Sequence, residues 1–528
     1  MNRWSVLVLI IGSFIGLPIF IVAYQLLKGP GEEWEHITTF LLPHYVYHTF
    51  FLIVCCAIGT LLIGVGCAWL ICRYEFPFRR VLDWMLILPL AIPSFITAYA
   101  YAGVFDNGGT WTLMMAKLGI EVQKIDVMNL SGLCWVLSIS LFPYVYIGAR
   151  AAFRQHAQQF REASHLLGAT ERKFFFTIAL PLARPAIISG LLFVIMEVLN
   201  DYGAAKYYGI NTFTTGIFNS WRDLEDLPSA FYLSAILVLL IFVLILLERW
   251  QRGSRSYATV AASDGGSKRI LLSGGKAWFV CLLTVFPLLA GFVLPVAQLL
   301  YWVYYTFWDV LDVAFIQLII NSFFIAFLAA LLTTILALFF VYFSKWTHLS
   351  GVRLFARTAS LGYIIPGAVI GLGVLISARM LVQGTASLFD LRIGFLLYGS
   401  MLTLVYAYVV RFFAIAHQTI EASSAKIGSQ FFESAILLGK KPILALKQID
   451  FPLLKTGLLS AMTLLFIDIM KELPLTLVLK SPDVQTLAIK AYEYIENGDQ
   501  IDKAALPSLL IIGAVSCFIL ISNRWLKT

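Results

Sequence analysis

A chain of 528 residues could hold several soluble domains, but 60% of its residues are hydrophobic and only 13% charged, where a soluble domain has about 45–50% and about 25%. With mean hydropathy at +0.85, the surplus apolar surface must face lipid. That excludes a soluble enzyme, a disordered chain and a secreted disulfide scaffold, and leaves an all-α polytopic membrane protein. The net charge of +8 reads as orientation rather than nucleic-acid binding, because basic residues gather in cytoplasmic loops.

In chain order, windows of about 20 apolar residues predict spans at 6–27, 49–72, 82–105, 131–149, 186–205, 229–247, 277–303, 322–344, 358–378, 394–410, 456–479 and 506–523, twelve in all. The first follows Arg3 without a small-x-small cleavage site, so it reads as a retained anchor. Placing the N-terminus inside puts 27 of the 38 basic residues in cytoplasmic segments and 17 of the 30 acidic ones in outer loops. This asymmetry predicts both termini in the cytoplasm. The seven cysteines fall in or beside apolar runs without metal or disulfide spacing, and read as packing residues.

The polar stretch 249–276, rich in Arg, Lys, Ser and Gly, reads as a cytoplasmic linker between six spans and six. Residues 1–248 and 277–528 then form two parallel repeats, since an even number of spans returns each half to the same side. Glu162-Ala163-Ser164, Gly168 and Ile178-Ala179-Leu180-Pro181 recur as Glu433-Ser434-Ala435, Gly439 and Ile449-Asp450-Phe451-Pro452 at one offset. Glu197 and Asp201 match Asp468 and Glu472, and Pro93 matches Pro366.

Within the repeated loop, Phe160, Ala163, Ser164 and Leu167 share a helix face, as do Phe431, Ser434, Ala435 and Leu438. Gly168 and Gly439 stand where a helix ends in a left-handed residue. Thr170 can cap the next helix, Pro442 fits the equivalent first turn, and Pro181 and Pro452 mark the return to the membrane. Each half thus predicts a helix–Gly–helix elbow on its basic side. One such loop alone would fit an amphipathic helix on lipid. Two copies with fixed spacing fit a paired docking surface.

This pattern resembles the permease subunits of binding-protein-dependent ABC importers, across nearly the whole chain, as two fused six-span permeases. Ser164, Ser434 and Phe451 depart from the commonest residues. The stretches 196–203 with 214–218, and 471–476 with 486–488 and 491–493, look like the iron(III) permeases. The resemblance implies that Glu162, Ala163, Leu167, Gly168, Pro181, Glu433, Ala435, Leu438, Gly439 and Pro452 couple the chain to a cytosolic ATPase, in two copies. It also implies a periplasmic substrate-binding protein at outer loops such as 206–228 and 480–505, and a bacterial inner-membrane location. The chain itself is expected to bind no cofactor and perform no catalysis, with ATP held by the partner subunit. Leu272-Ser273-Gly274-Gly275-Lys276 resembles an ATPase signature, but the phosphate loop GxxxxGK[ST] is absent from the sequence.

Intramembrane charges by default mark a pathway or a buried pair. Glu197 and Asp201 share a helix face, as do Asp468 and Glu472. They are expected to line a cation path; the competing expectation is that they cap a broken helix or pair with Lys471 or Asn200. His44 and His48, interleaved with Tyr45 and Tyr47, could bind a metal but fit an interfacial aromatic belt better, so no metal site is expected. Thiamine or phosphonate permeases with the same fused layout are the nearest alternatives. An ion-gradient-driven carrier using the intramembrane acids is the alternative of another class.

Overall fold

The computed structural model describes residues 3–106, 108–120, 125–166, 169–252, 269–345, 365–389, 399–427, 434, 437–439, 444, 446–481, 484–498 and 500–525. Among the described residues, ten helices are long and apolar enough to cross a membrane. They coincide with ten of the expected spans. The eleventh, 82–105, is a pair of helices bent by 94° around residues 92–93; of the twelfth, 358–378, residues 358–364 lie outside the described residues and the remainder falls on the shorter apolar helix Gly367–Gln383. Bends belong to the sequence: Pro93 has no N–H, so the helix must restart there. Ile96 and Thr97 donate their N–H groups to the Pro93 carbonyl at 3.0 and 3.1 Å, and Val369 and Ile370 do the same to Pro366 at 3.0 and 3.2 Å.

Four π-helical turns share one cause. Ile37–Leu41, Phe175–Ala179, Leu289–Val293 and Leu446–Asp450 each run into an X-Pro pair, at Pro43, Pro181, Pro295 and Pro452. A proline inside a helix cannot donate to the carbonyl four residues back, and its ring pushes that carbonyl away. The ladder widens to an i→i+5 bond just before the ring: Leu42 donates to Ile37, Leu180 to Phe175 and Leu294 to Leu289. Pro181 and Pro452 are thus the second residues of long membrane helices.

The chain packs into two compact units. One holds 32–307 and 494–512. Its centre is α2 (Leu42–Arg73), α5 (Leu130–Leu166) and α7 (Leu180–Asn200), with α3 (Arg79–Met85), α4 (Ser94–Phe105), α6 (Glu171–Phe174), α8 (Gly203–Tyr207), α9 (Phe213–Phe218) and α10 (Leu227–Arg252) around them. Small residues let α5 and α7 touch backbone to backbone, as membrane helices require. A Cβ on Gly148 would lie 2.6 Å from the Ala186 carbonyl, and one on Gly190 2.6 Å from that of Tyr144. Here α11 (Gly274–Leu288), which begins within the Ser-Gly-Gly-Lys run, packs on α2 and α3, followed by α12 (Leu294–Val310).

The other unit holds 1–31, 308–493 and 513–528. In it α13 (Val313–Lys345), α15 (Met401–Ile427) and α16 (Phe451–Met470) pack together, α14 (Gly367–Phe389) meets α17 (Pro474–Val478), and α18 (Leu487–Glu496) follows. The N-terminal α1 (Arg3–Gln25) packs on α14 and α13 of this unit. The linear halves 1–248 and 277–528 are therefore not the packed bodies: the first helix of each half is built into the unit formed mainly by the other. Helix α19 (Ala505–Trp525) runs through both sets of residues. Within the linker, residues 253–268 lie outside the described residues, while Ile270–Leu271 pairs in parallel with Tyr74–Glu75.

Candidate functional site

In the first copy of the elbow, α5 continues 12 residues past Arg154 to Leu166, carrying Glu162 and Ala163 in helical backbone. Ala169 donates to the Ser164 carbonyl at 3.0 Å, the 6→1 closing bond of a Schellman turn. Leu167 and Gly168 lie outside the described residues. Thr170 caps α6, its hydroxyl accepting from the Lys173 N–H at 3.4 Å, as its residue type requires. The α6 helix is tied back by an ion pair from Arg73, itself 5% exposed, to Glu171. In the second copy, Glu433 and Ala435 lie outside the described residues, as does Pro442. Gly439 has φ +80°, the left-handed conformation its position demanded. Leu437 and Leu438 beside it are 87% and 82% exposed.

The intramembrane acids gather at two helix breaks of one design. In the first, α7 stops at Asn200, Asp201 donates its N–H to the Val198 carbonyl, and α8 starts at Gly203. In the second, α16 stops at Met470, Glu472 donates to Ile469, and α17 starts at Pro474. Each carboxylate caps the short helix that follows. Asp201 Oδ1 accepts from the Ala204 and Ala205 N–H groups, both at 3.1 Å, and Glu472 Oε1 accepts from Leu475 at 3.1 Å. Both acids are buried. The other two, Glu197 and Asp468, are partly exposed on their helices. Tyr144 Oη lies 3.5 Å from Glu197 Oε1, and Lys471 Nζ lies 3.3 Å from Asp468 Oδ1. The capping and Lys471-pairing alternative thus describes the observed contacts of Asp201, Glu472 and Asp468.

Three residues missed in the sequence complete these breaks. Ser94, the first residue of α4, donates its hydroxyl to Asp201 Oδ2. Arg411 of α15 forms an ion pair with Glu472 at 3.2 Å, both side chains 6% exposed. Gly367, first residue of α14, leaves the room that pair occupies. Extending the Pro93–Pro366 match by one position would have found Ser94 and Gly367. Arg411 carried no local signal, because a lone arginine at a span end reads as an orientation charge.

The expected outer loops are mostly short buried helices. Residues 213–218 are all buried, and in α18 Leu487, Ala488, Ile489, Ala491 and Tyr492 are buried. Among the exposed residues of these stretches is a charged rim, 222–225 and 496–498, joined by Arg222 and Glu496 at 3.2 Å. The His44 and His48 rings lie 6.1 Å apart, with His48 Nδ1 donating to the Asn211 carbonyl at 3.0 Å. Among the described residues no group of three or more His, Cys, Asp or Glu is placed to hold a metal ion.

Residues 60–255 match the family model of the binding-protein-dependent transport system inner membrane component. The chain is 27% identical over 520 residues to an Fe(3+)-transport system permease protein, FbpB 2, of Haemophilus influenzae, covering 96% of this chain and 95% of that one. It is 24% identical over 460 residues to the ferric transport system permease protein FbpB of Actinobacillus pleuropneumoniae, covering 81% and 63%. The sulfate transport system permease protein CysT of Escherichia coli is 26% identical over 196 residues, 37% of this chain and 69% of that protein.

Proposed function

We infer that this chain, whose residues 60–255 match the binding-protein-dependent transport system inner membrane component, is the fused permease of an ABC importer for ferric iron. The carrying observation for the class is the elbow: a left-handed Gly439 flanked by the exposed Leu437 and Leu438. Two adjacent leucines exposed beside a turn on the basic side offer apolar contact to a protein partner. The ferric cargo rests on the end-to-end similarity to the H. influenzae permease. Sulfate is the second reading, favoured by the relatives of that name but over a smaller part of the chain.

In this reading a separate ATPase docks, one copy on each elbow, 150–184 and 411–455, and holds the ATP. The contact residues are Glu162, Ala163, Leu167 and Gly168 before Pro181, and Glu433, Ala435, Leu438 and Gly439 before Pro452. A periplasmic binding protein delivers cargo at the charged rim rather than into the buried helices behind it. Both termini lie in the cytoplasm, and the two halves arose by duplication at 249–276. Movement of an elbow passes directly to the break at the far end of its helix, because α7 and α16 each run unbroken from the π turn to the break. Glu197 and Asp468 present carboxylate to the path and favour a cation over an anion. Asp201 and Glu472 shape the path by holding the breaks, and no resident cofactor is required. The test is reconstitution: the chain with its ATPase in liposomes, the loaded binding protein outside, and ATP within. Accumulation of ferric iron, and none of sulfate, is expected. Sulfate uptake instead would overturn the cargo, and uptake driven by an ion gradient without ATP would overturn the class.

A further inference from the structure

The two breaks have the same backbone and different locks. Arg411 and Ser140 are equivalent, because α15 begins at Met401 and α5 at Leu130, the same 271-residue offset that relates Glu472 to Asp201. Where the second copy places a guanidinium, the first has a buried serine whose Oγ has no hydrogen-bond partner among the described residues. Where the first copy has Ser94 against its carboxylate, the second has Gly367. A Cβ there would lie 2.6 Å from Arg411 Nη1 and 2.6 Å from Glu472 Oε1. Gly367, Arg411 and Glu472 are therefore mutually dependent: glycine makes the space, arginine fills it, and the carboxylate requires the arginine.

The locks also differ in reach. Arg411 joins three elements. It pairs with Glu472 at the break, donates to the Ile365 carbonyl at 3.4 Å just before α14, and belongs to α15. Ser94 joins two, since it sits on α4 itself. Pulling the second break open separates two buried charges, which leaves both uncompensated in a low-dielectric surround. Opening the first separates a hydroxyl from a carboxylate, and water replaces the hydroxyl at little cost. We propose that Arg411, with Gly367 and Glu472, is a charge lock that keeps the second helix break closed, and that the first break, held by Ser94 and Asp201, is the one that opens during transport. The second clause rests on the transport reading; the lock does not.

The test is amide hydrogen exchange on the full chain in lipid nanodiscs, alone and then with its ATPase. Alone, amides 204–207 should exchange faster than 475–478 by about an order of magnitude or more, as local stability follows the contacts that hold each segment. Arg411→Gln and, separately, Gly367→Ala should erase the protection at 475–478 and leave 204–207 unchanged. The triple change Gly367→Ser, Arg411→Ser, Glu472→Asp rebuilds the first lock in the second copy. It should insert normally, restore transport lost in Arg411→Gln, and exchange at 475–478 like 204–207. With the ATPase trapped by ATP and vanadate, exchange should rise at 204–207 only. Equal wild-type exchange at both breaks, or protection at 475–478 that survives Arg411→Gln, overturns the lock. A rise confined to 475–478 in the trapped complex overturns the assignment of the moving break. If Arg411→Gln fails to insert, the wild-type comparison and the triple variant still decide. A persisting difference at the two breaks in a chain that transports nothing would leave the lock standing and remove the transport reading.

Discussion

Replacing Gly439 by valine separates backbone geometry from packing in a way few positions allow. Gly439 sits at φ +80°, and a Cβ built there has nothing within 4 Å. Among the described residues a Cβ there meets no neighbour, so the cost that the structure shows is conformational. A residue with a Cβ pays roughly 1–2 kcal/mol in the left-handed region, and a β-branched one is a clear outlier there. That shifts the elbow away from its native turn by a factor of about 5–30. A partner that binds only the native turn loses apparent affinity by up to that factor. Asparagine tolerates the left-handed region, so Gly439→Asn should bind nearly as the wild type. The assay is titration of the purified ATPase against nanodisc-embedded permease, with transport measured in parallel. Val weak and Asn near normal is the expected pattern. Equal, undiminished affinity for both would refute a docking role for the turn. Equal loss in both would show that the absence of a side chain, rather than the backbone angle, is what the partner needs.

Changing Leu437 and Leu438 together to Asp should leave insertion and thermal stability within about 0.5 kcal/mol of wild type, as for exposed sites generally, yet abolish co-purification of the ATPase; retained co-purification would remove these leucines from the interface. Glu197→Gln and Asp468→Asn should each lower ferric uptake partially and together more strongly, while ATP hydrolysis stimulated by loaded binding protein persists; normal uptake by the double variant would make both acids structural. Reporter fusions at 150–184, 249–276 and 411–455 should all read as cytoplasmic, following the 27 of 38 basic residues assigned to that side, and an external signal at either elbow contradicts the orientation.

Hydropathy and local chemistry determined a great deal here. Apolar runs must become helices in lipid, since no water is present to satisfy an open backbone, and the expected spans fell on the observed helices. Pro93, Pro181, Pro366 and Pro452 act on the backbone of their own neighbourhood, so their helix starts and π turns were implicit in the sequence, and so was the left-handed Gly439. The capping of α6 by Thr170 is equally local, involving an N–H three residues away. What the tertiary structure decided were the facts that join distant residues. Identical lipid-facing helices carry no address for their partners, so nothing in the hydropathy of α1 or α11 assigns them to units made mainly of the opposite half. Nor does a carboxylate at a helix break announce what opposes it. Asp201 meets Ser94 from 107 positions upstream, and Glu472 meets Arg411. Their chemistry differs between the two copies because two upstream positions differ, Ser94 against Gly367 and Ser140 against Arg411, and only packing brings those differences to the break.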